Sequence, residues 1–316
     1  MLTGILSYLV FFSILVLIFG IATLGLNLQW GFTGLFNAGV VGFYAVGAYT
    51  LAILTAPPRP ELWGNLGLPW PVGIAGAMLA SALAAYLVAL ATIKLRGDYL
   101  AISTFGVAIV LQLVTLNWES LTGGSQGLAM SPPPLREMFD SPFGYNLFYF
   151  CLMVLITALI YWGLERIVRS PWGRVLKAIR EDEGAAIALG KSATRFRLQA
   201  FVLGATLIGL SGALYVSFIA FVSPFDFMPL VTFQLWTMLI VGGSGNNRGA
   251  LLGAAIVWGL WTFSGTLIFK VMPADYHTQG GAIQTILIGL VLVLTLLYRP
   301  RGLIGEEPVV SRHVDE

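Results

Sequence analysis

The sequence predicts an all-α polytopic membrane protein with about eight to ten transmembrane segments, because three observations agree. Hydrophobic residues make up 57% of the 316 residues and charged residues only 10%, whereas a soluble domain carries about 25% charged residues. Several stretches of roughly 20 residues contain almost no charge, and this length crosses a hydrocarbon core of ~30 Å. The basic residues fall almost entirely in alternate loops, as the positive-inside rule requires.

Nine apolar segments are predicted along the chain, separated by polar, glycine-rich or proline-rich loops. In chain order they cover residues 5–28, 33–54, 71–94, 99–117, 146–168, 196–221, 230–241, 249–271 and 282–298. Gly34, Gly39, Gly42 and Gly47 interrupt the second segment, and the seventh segment is short and ends in glycines. Both features are typical of broken or re-entrant helices, so some spans are predicted to be discontinuous.

Small residues recur at every fourth position in two places along the chain. One set is Gly245, Gly249 and Gly253, and the other is Ala38 and Gly42. This spacing puts the small residues on one face of a helix, where they let a second helix backbone approach closely. We therefore predict close helix packing at both places.

The charges of the loops predict the orientation of the chain. If residues 169–195 are cytoplasmic, alternation of the segments leaves only Arg59, Arg136 and Lys270, out of 17 lysine and arginine residues, on the outer side. An excess of basic residues marks the cytoplasmic loops of membrane proteins. The N-terminus is therefore predicted to lie outside and the C-terminus inside.

Residues 170–190 predict an amphipathic helix at the cytoplasmic surface. Ser170 suits the N-cap, Pro171 suits the first helical position, and Gly190 is placed to end the helix. The apolar residues between them recur at helical spacing and form one stripe, which comprises Trp172, Val175, Leu176, Ile179, Ala186 and Leu189. The periodicity alone leaves two interpretations open: a helix that lies in the lipid interface, or one that binds a partner protein.

Residues 183–190 read Glu-Gly-Ala-Ala-Ile-Ala-Leu-Gly and resemble the acidic–Ala–Ala–x–x–x–Gly loop of ABC importer permeases. Other strings look like the LivM-type permease of branched-chain amino acid importers, and they follow the order of that family. They are Leu-Arg-Gly-Asp-Tyr-Leu-Ala-Ile at 95–102, Leu-Thr-Gly-Gly-Ser-Gln-Gly at 121–127, Ser-Pro-Trp-Gly-Arg at 170–174, Gly-Leu-Ser-Gly-Ala-Leu-Tyr at 209–215 and Arg-Pro-Arg-Gly-Leu at 299–303. Agreement at so many separate strings exceeds what chance would give.

The resemblance implies a single transmembrane permease domain over residues 1–305, with a cytoplasmic ATPase-docking loop at 169–195 and a cytoplasmic tail at 306–316. In that class the loop docks a short helix into a groove of the ATPase subunit. The residues expected to dock are Arg174, Lys177, Arg180, Glu181, Asp182, Glu183, Ala185, Ala186 and Gly190. The expected partners are a second homologous permease subunit, two ATPase subunits, a soluble substrate-binding protein and the lipid bilayer, with no nucleic acid.

No cofactor is expected on this chain, because ATP and Mg would be bound by the partner ATPase subunits. Residues 185–192 differ from a phosphate-binding loop at their first position, and they close a helix instead of following a strand. Charged residues are nearly absent from the predicted spans, and His277 and His313 fall in a loop and in the tail, so no proton relay is available. The chain is therefore predicted to be a transport subunit and not an enzyme.

Neutral polar residues enter the predicted spans and are the candidates for a substrate path. They are Asn27, Gln29, Thr33 and Asn37 around the break in the second segment, and Ser103, Thr104 and Gln112 in the fourth. A broken helix exposes backbone groups, and its N-terminus carries a partial positive charge that attracts a carboxylate. The alternative is that these side chains only form hydrogen bonds between helices.

The predicted function is that of a permease subunit of an ATP-binding cassette importer in the inner membrane. Its expected solutes are branched-chain or other small neutral or hydrophobic amino acids. Two alternatives remain open from the sequence. One keeps the same class of transporter with urea or a short-chain amide as the solute, and the other is a passive channel or facilitator.

Overall fold

A computed structural model describes residues 2–58, 62–95, 97–129, 135–273 and 277–306 of the chain. Arg59, Arg96 and His313, on which parts of the predicted topology and chemistry depend, lie outside the described residues, as do residues 307–316 of the predicted tail. Within the described residues the helices are α1 (Leu2–Gln29), α2 (Val40–Thr55), α3 (Trp70–Thr92), α4 (Asp98–Asn117), α5 (Glu119–Thr122), α6 (Pro142–Arg169), α7 (Pro171–Glu181), α8 (Glu183–Ala188), α9 (Ala193–Ile219), α10 (Pro229–Gly242), α11 (Asn247–Val271) and α12 (His277–Tyr298).

The all-α polytopic fold predicted from the sequence is confirmed. In the described part of the chain, seven helices are long and apolar enough to cross a membrane: α1, α3, α4, α6, α9, α11 and α12. Two shorter apolar helices, α2 and α10, correspond to the second and seventh predicted segments. Each of the nine predicted segments therefore contains one apolar helix.

The second predicted segment is broken around residues 33–39, as predicted, but not at the later glycines. α2 runs without interruption through Gly42 and Gly47, and the irregular backbone lies before it, at residues 30–39. Glycine lowers the stability of a helix but does not end one by itself, and packing can override its effect. Residues 30–39 are named the break below.

α9 lies at the centre of the bundle and packs against α1, α2 and α3, while α6, α10 and α11 pack against α1. In the most apolar window of α1 and of α9, 67% of the residues are buried, against 17% in α12. The helices of the periphery therefore expose apolar faces, which a hydrocarbon solvent accommodates without cost.

Glycines let α2 and α9 cross in close contact. A Cβ atom added at Gly47 would lie 1.9 Å from the carbonyl oxygen of Gly209, and one at Gly212 would lie 2.0 Å from that of Tyr44. These contacts are with backbone, which cannot swing away as a side chain can. The close crossing of α2 and α9 therefore requires glycine at these positions.

The predicted small-residue packing is also present. Gly253 of α11 faces α10, where an added Cβ would lie 1.9 Å from the carbonyl oxygen of Met238. Gly249 approaches Gly242, and a Cβ added at Gly42 would lie 3.0 Å from the Cα of Ala108 in α4. Close helix packing is therefore confirmed for Gly249, Gly253 and Gly42, whereas Gly245 and Ala38 lie before α11 and α2 and do not share the predicted helix faces.

The two ends of the bundle differ in character. At one end, strands β1 (Leu128–Ala129) and β2 (Phe221–Val222) pair antiparallel beside a turn at 224–227. The other end carries α7 and α8, and the 27 residues of α9 separate the two ends by about 40 Å at 1.5 Å per residue. The end that carries α7 and α8 is named the docking end.

The α2–α9 crossing yields a stability prediction. Gly47→Ala places a methyl group against the Gly209 carbonyl, and overpacking of this kind costs about 1–3 kcal/mol. We expect a lower melting temperature for the purified protein in detergent. Gly289→Ala in α12 is the matched control, because an added Cβ there meets nothing within 4 Å. Equal melting temperatures for the two variants would contradict the proposed crossing.

Candidate functional site

The predicted amphipathic helix is two helices, joined at Asp182. Asp182 has φ −148° and ψ 103°, and its carboxylate accepts a hydrogen bond from the amide of Ala185 at 3.0 Å. Aspartate at an N-cap stabilises the start of a helix in this way, so α8 begins anew after α7. The expectation of one uninterrupted helix up to Gly190 is therefore wrong, while the predicted end at Gly190, with φ +76°, is confirmed.

The start of α7 lies at the predicted residues, but its cap differs. Pro171 is the first helical residue, and Ser170 precedes it. The Ser170 hydroxyl donates to the carbonyl of Ile167 at 2.6 Å instead of accepting from an α7 amide. Ser170 thus ties the start of α7 to the end of α6.

The apolar stripe of α7 and α8 packs against the protein itself. Leu176, Ile179 and Ala186 are buried, and a Cβ at Gly173 would lie 2.0 Å from the Val168 carbonyl oxygen. The stripe therefore anchors α7 and α8, named the hairpin below, to the rest of the chain. It is not free to lie in the lipid interface. Leu189 does not belong to the stripe, because it is 79% exposed at the tip of the hairpin.

The residues expected to dock divide into an outer and an inner group. The outer group is exposed and consists of Arg174, Glu181, Asp182, Ala185 and Gly190. Lys177, Arg180 and Glu183 of the inner group form ion pairs within the chain, and Ala186 is buried. Only the outer group is therefore presented to a partner in this structure.

The inner group connects α7 and α8 to distant parts of the chain. Glu183 pairs with Arg197 of α9 at 3.0 Å, and Lys177 pairs with Glu306 at 2.6 Å. Arg180 pairs with Glu306 at 2.7 Å and also donates to the carbonyl oxygen of Gly31 in the break. The sequence analysis did not identify Glu306 as a partner, because nothing in its local pattern points to a contact so far along the chain.

The protonation equilibria at this end agree with the ion pairs. Burial disfavours ionisation of Glu306, but hydrogen bonds from Lys177 and Arg180 outweigh it and hold the pKa of the carboxyl below its usual range. Burial also opposes the charge on Arg180, yet its hydrogen bonds to Glu181 and Glu306 raise the pKa of the guanidinium. Both groups are therefore charged at neutral pH.

A cavity of about 330 Å³ opens beside these pairs at the docking end. Its charged lining residues are Glu165, Arg169, Arg174, Lys177, Arg248 and Glu306. Basic residues outnumber acidic ones in this lining, so the surface next to α7 attracts negative charge.

The four polar residues around the break are fully buried. Asn27, Gln29, Thr33 and Asn37 each have no exposed surface. Gln29 donates to the carbonyl of Phe201 at 2.8 Å and accepts from Asn37 at 2.9 Å. The structure thus brings the predicted group together, and its hydrogen bonds run between helices of the same chain.

The side chains of Asn27 and Thr33 form hydrogen bonds where α1 ends and the break begins. The Asn27 amide donates to Asn247 at 3.0 Å and accepts from the amide of Gly245 at 2.8 Å. Thr33 donates to the carbonyl of Leu28 at 2.9 Å, so it closes the turn that ends α1. Asn247 was not among the residues predicted from the sequence, although it lies two positions after the glycine-rich turn at 242–245.

Three side chains from different parts of the chain accept hydrogen bonds from amides at the start of α2. The amide of Ala38 donates to Thr104 at 3.1 Å, that of Gly39 to Asn37 at 2.8 Å, and that of Val41 to Thr232 at 3.2 Å. A helix N-terminus with free amides attracts a carboxylate. Here these three amides already have oxygen acceptors, so the α2 N-terminus is not open to one in this conformation.

The predicted residues of α4 do not lie on one face. Thr104 is buried against the break, whereas Ser103 and Gln112 are only half-buried. Ser103 and Gln112 are nine positions apart, which is about half a turn out of phase at 3.6 residues per turn. They therefore flank the buried stripe of α4 from opposite edges.

A bundle of apolar helices around a broken helix pair, with a polar docking end, defines a multi-pass membrane transport protein. The family described as the branched-chain amino acid transport system, permease component, matches residues 8–296. The chain belongs to this family, and it is a multi-pass protein of the inner membrane that acts as a permease component and not as an enzyme.

Three curated proteins illustrate the range of similarity. The high-affinity branched-chain amino acid permease protein LivM of Salmonella typhimurium is 30% identical, over 91% of this chain and 68% of its own length. The probable branched-chain amino acid permease protein LivM of Methanocaldococcus jannaschii is 28% identical, over 95% and 94%. The guanosine ABC transporter permease protein NupQ of Bacillus subtilis is 27% identical, over 81% and 82%. No solved structure matches the chain.

The buried network around the break yields a second prediction. Asn37→Leu leaves the side-chain oxygen of Gln29 and the Gly39 amide without these partners, and each unsatisfied buried group costs about 1–3 kcal/mol. We expect a lower melting temperature and less folded protein for this variant. Asn117→Leu is the control, because Asn117 is exposed and bonds only to its own helix. An Asn37→Leu protein that is stable but does not transport would instead assign Asn37 to the solute path.

Proposed function

We propose that the chain is a permease subunit of an ATP-binding cassette importer and that α7 and α8 dock an ATPase subunit. The observation that carries the proposal is the exposed apolar tip of this hairpin. Ile187 and Leu189 are 53% and 79% exposed, although the apolar stripe of α7 and α8 is anchored inside the chain. Exposed apolar side chains on a rigid hairpin outside the spans are typical of a protein interface.

The outer group of docking residues completes this surface. Ala185 and Gly190 beside the tip are small and exposed, so a groove can close around Leu189. Arg174 and the basic cavity lie on the other side of α7 and complement an acidic surface of the partner. A second permease subunit and a soluble substrate-binding protein complete the proposed importer.

We propose a branched-chain amino acid as the solute, because the LivM relatives carry that name and are similar over most of this chain. The guanosine permease, a relative of nearly equal identity, carries the name of a different solute. Of the candidate path residues, the half-exposed Ser103 and Gln112 are proposed to contact the solute. Asn27, Gln29, Thr33, Asn37 and Thr104 are proposed to hold the wall of the path.

The docking proposal is tested with Leu189→Asp. A charge at the apolar tip should abolish co-purification of the ATPase subunits and ATP-dependent uptake of leucine into proteoliposomes, while the permease keeps its melting temperature. Met138→Asp is the control, because Met138 is 74% exposed outside the apolar helices at the opposite end. Normal ATP-dependent uptake by Leu189→Asp would remove the tip from the interface, and leucine uptake by the unaltered complex without ATP would favour a passive facilitator.

The orientation is the remaining part of the proposal, with the docking end in the cytoplasm. The test uses a Cys151→Ser background, because Cys151 is an exposed thiol in α6. In intact cells, Arg136→Cys should react with a membrane-impermeant thiol reagent, and Lys191→Cys should react only after the membrane is opened. Labelling of Lys191→Cys in intact cells would reverse the orientation, since the basic loops are assigned together.

A further inference from the structure

Residues 299–306 return from the end of α12 to the docking end. The amides of Leu303 and Ile304 donate to the carbonyls of Val241 and Gly242, both at 2.9 Å. Further along, the Asn246 side chain donates to the Gly305 carbonyl at 3.2 Å. The segment is thus fixed to the end of α10 and to the turn before α11.

The last described residue of this segment, Glu306, reaches across to α7. One carboxylate oxygen lies 2.6 Å from the Lys177 ammonium, and the other lies 2.7 Å from the Arg180 guanidinium. The Glu306 side chain is only 27% exposed and that of Arg180 only 23%. A carboxylate that engages two shielded cations holds their geometry more firmly than an exposed single pair does.

Arg180 joins Glu306 to the break between α1 and α2. One terminal nitrogen of the guanidinium binds Glu306, and the other donates to the Gly31 carbonyl. Gly34, with φ +73°, lies against the aliphatic part of Arg180, where an added Cβ would be 3.1 Å from Cγ. Lys177 lies over the ring of Phe32 at 5.5 Å. Two positions of α7 thus rest directly on residues 31–34.

The contact continues from Gly31 into the bundle. The Asn27 side chain, next to Gly31, binds Gly245 and Asn247, and Asn247 donates to Glu165 of α6 at 3.1 Å. The ends of α1, α6 and α11 and the turn after α10 are therefore hydrogen-bonded to one another beside Gly31, the residue that Arg180 binds. A displacement of α7 moves this network only if Arg180 is held to it.

We propose that Glu306 is a positioning residue of the transport cycle, which clamps Arg180 of α7 onto residues 31–34 so that α7 and the break move as one body. The proposal rests on the proposed docking of an ATPase at α7 and α8. With the clamp intact, the force that the ATPase exerts on the hairpin reaches the break. Without it, α7 moves while the break stays in place, and ATP is hydrolysed without transport.

The test compares Glu306→Gln with Glu306→Asp in the assembled complex. Glu306→Gln keeps the size of the side chain and removes the charge, so ATPase subunits should remain bound and ATP hydrolysis should continue. The amount of leucine transported per ATP hydrolysed should fall about fivefold or more, the range of a coupling between two sites. Glu306→Asp keeps the charge and should restore most of the ratio.

The control is Arg166→Gln, which removes a charge at the same end without breaking a link between segments. Arg166 lies over the ring of Trp162 within α6, at 4.6 Å. Its transport-to-hydrolysis ratio should equal that of the unaltered complex. An unchanged ratio in Glu306→Gln, or a lower melting temperature with an unchanged ratio, would overturn the clamp and leave Glu306 a purely structural residue.

Hydrogen exchange gives a second readout that does not depend on transport. The amides of Phe32 and Gly34 donate to the carbonyls of Asn27 and Trp30, and their exchange should change on ATP binding in the unaltered complex but not in Glu306→Gln. The same ATP response in both proteins would overturn the proposal. Absence of ATP-dependent uptake in the unaltered complex would refute the importer function itself, and it is thereby distinguished from failure of the clamp alone.

Discussion

The bilayer supplies no water to satisfy a polar backbone, and the break at residues 30–39 places such backbone between closely packed helices. The residues around the break follow from this constraint. Asn37, Thr104 and Thr232 accept the amides at the start of α2, and Trp236 donates to the Asn37 carbonyl at 3.1 Å. Polar side chains that look like a solute path in the sequence are therefore needed first to allow the break to exist.

The glycine contacts of α2 and α9 complement this network. A short helix such as α2 cannot span the hydrocarbon by itself, so its position depends on its neighbours. The backbone contacts at Gly47 and Gly212 hold α2 against α9 along its length. The polar network fixes where α2 begins, and the glycines fix how close it lies to the centre of the bundle.

The apolar segments were predictable because hydropathy and length act locally, and a bilayer makes both necessary. The break around residues 33–39 was predictable as well, but the continuation of α2 through Gly42 and Gly47 was not, since the glycines before and after residue 40 look alike in the sequence. The division of the docking helix at Asp182 carried a local signal, an aspartate that suits an N-cap, but the continuous apolar stripe concealed it.

The partners of the charged residues depended on tertiary structure alone. Lys177, Arg180 and Glu183 match a docking surface by charge, and no local pattern tells whether their partners belong to the same chain or to another. Glu306 lies 126 positions from Arg180 and follows a proline and glycine turn, which is typical of a tail. The chain folds back because Leu303 and Ile304 extend backbone pairing to α10, a preference that sequence periodicity does not express.

A transporter must move between two conformations, and the side that receives energy must be tied to the side that moves. In this chain the break is closed by several hydrogen bonds, each worth about 0.5–1.5 kcal/mol net, so it does not open readily by itself. α7 contacts the break through Arg180 and Lys177. A shift of α7 acts on the residues around the break, because Gly31, to which Arg180 of α7 donates, lies against the Asn27 side chain, and Asn27 in turn binds Gly245. The contacts through which an attached ATPase would act thus reach the break at Gly31, next to the residues that satisfy its backbone in the bilayer.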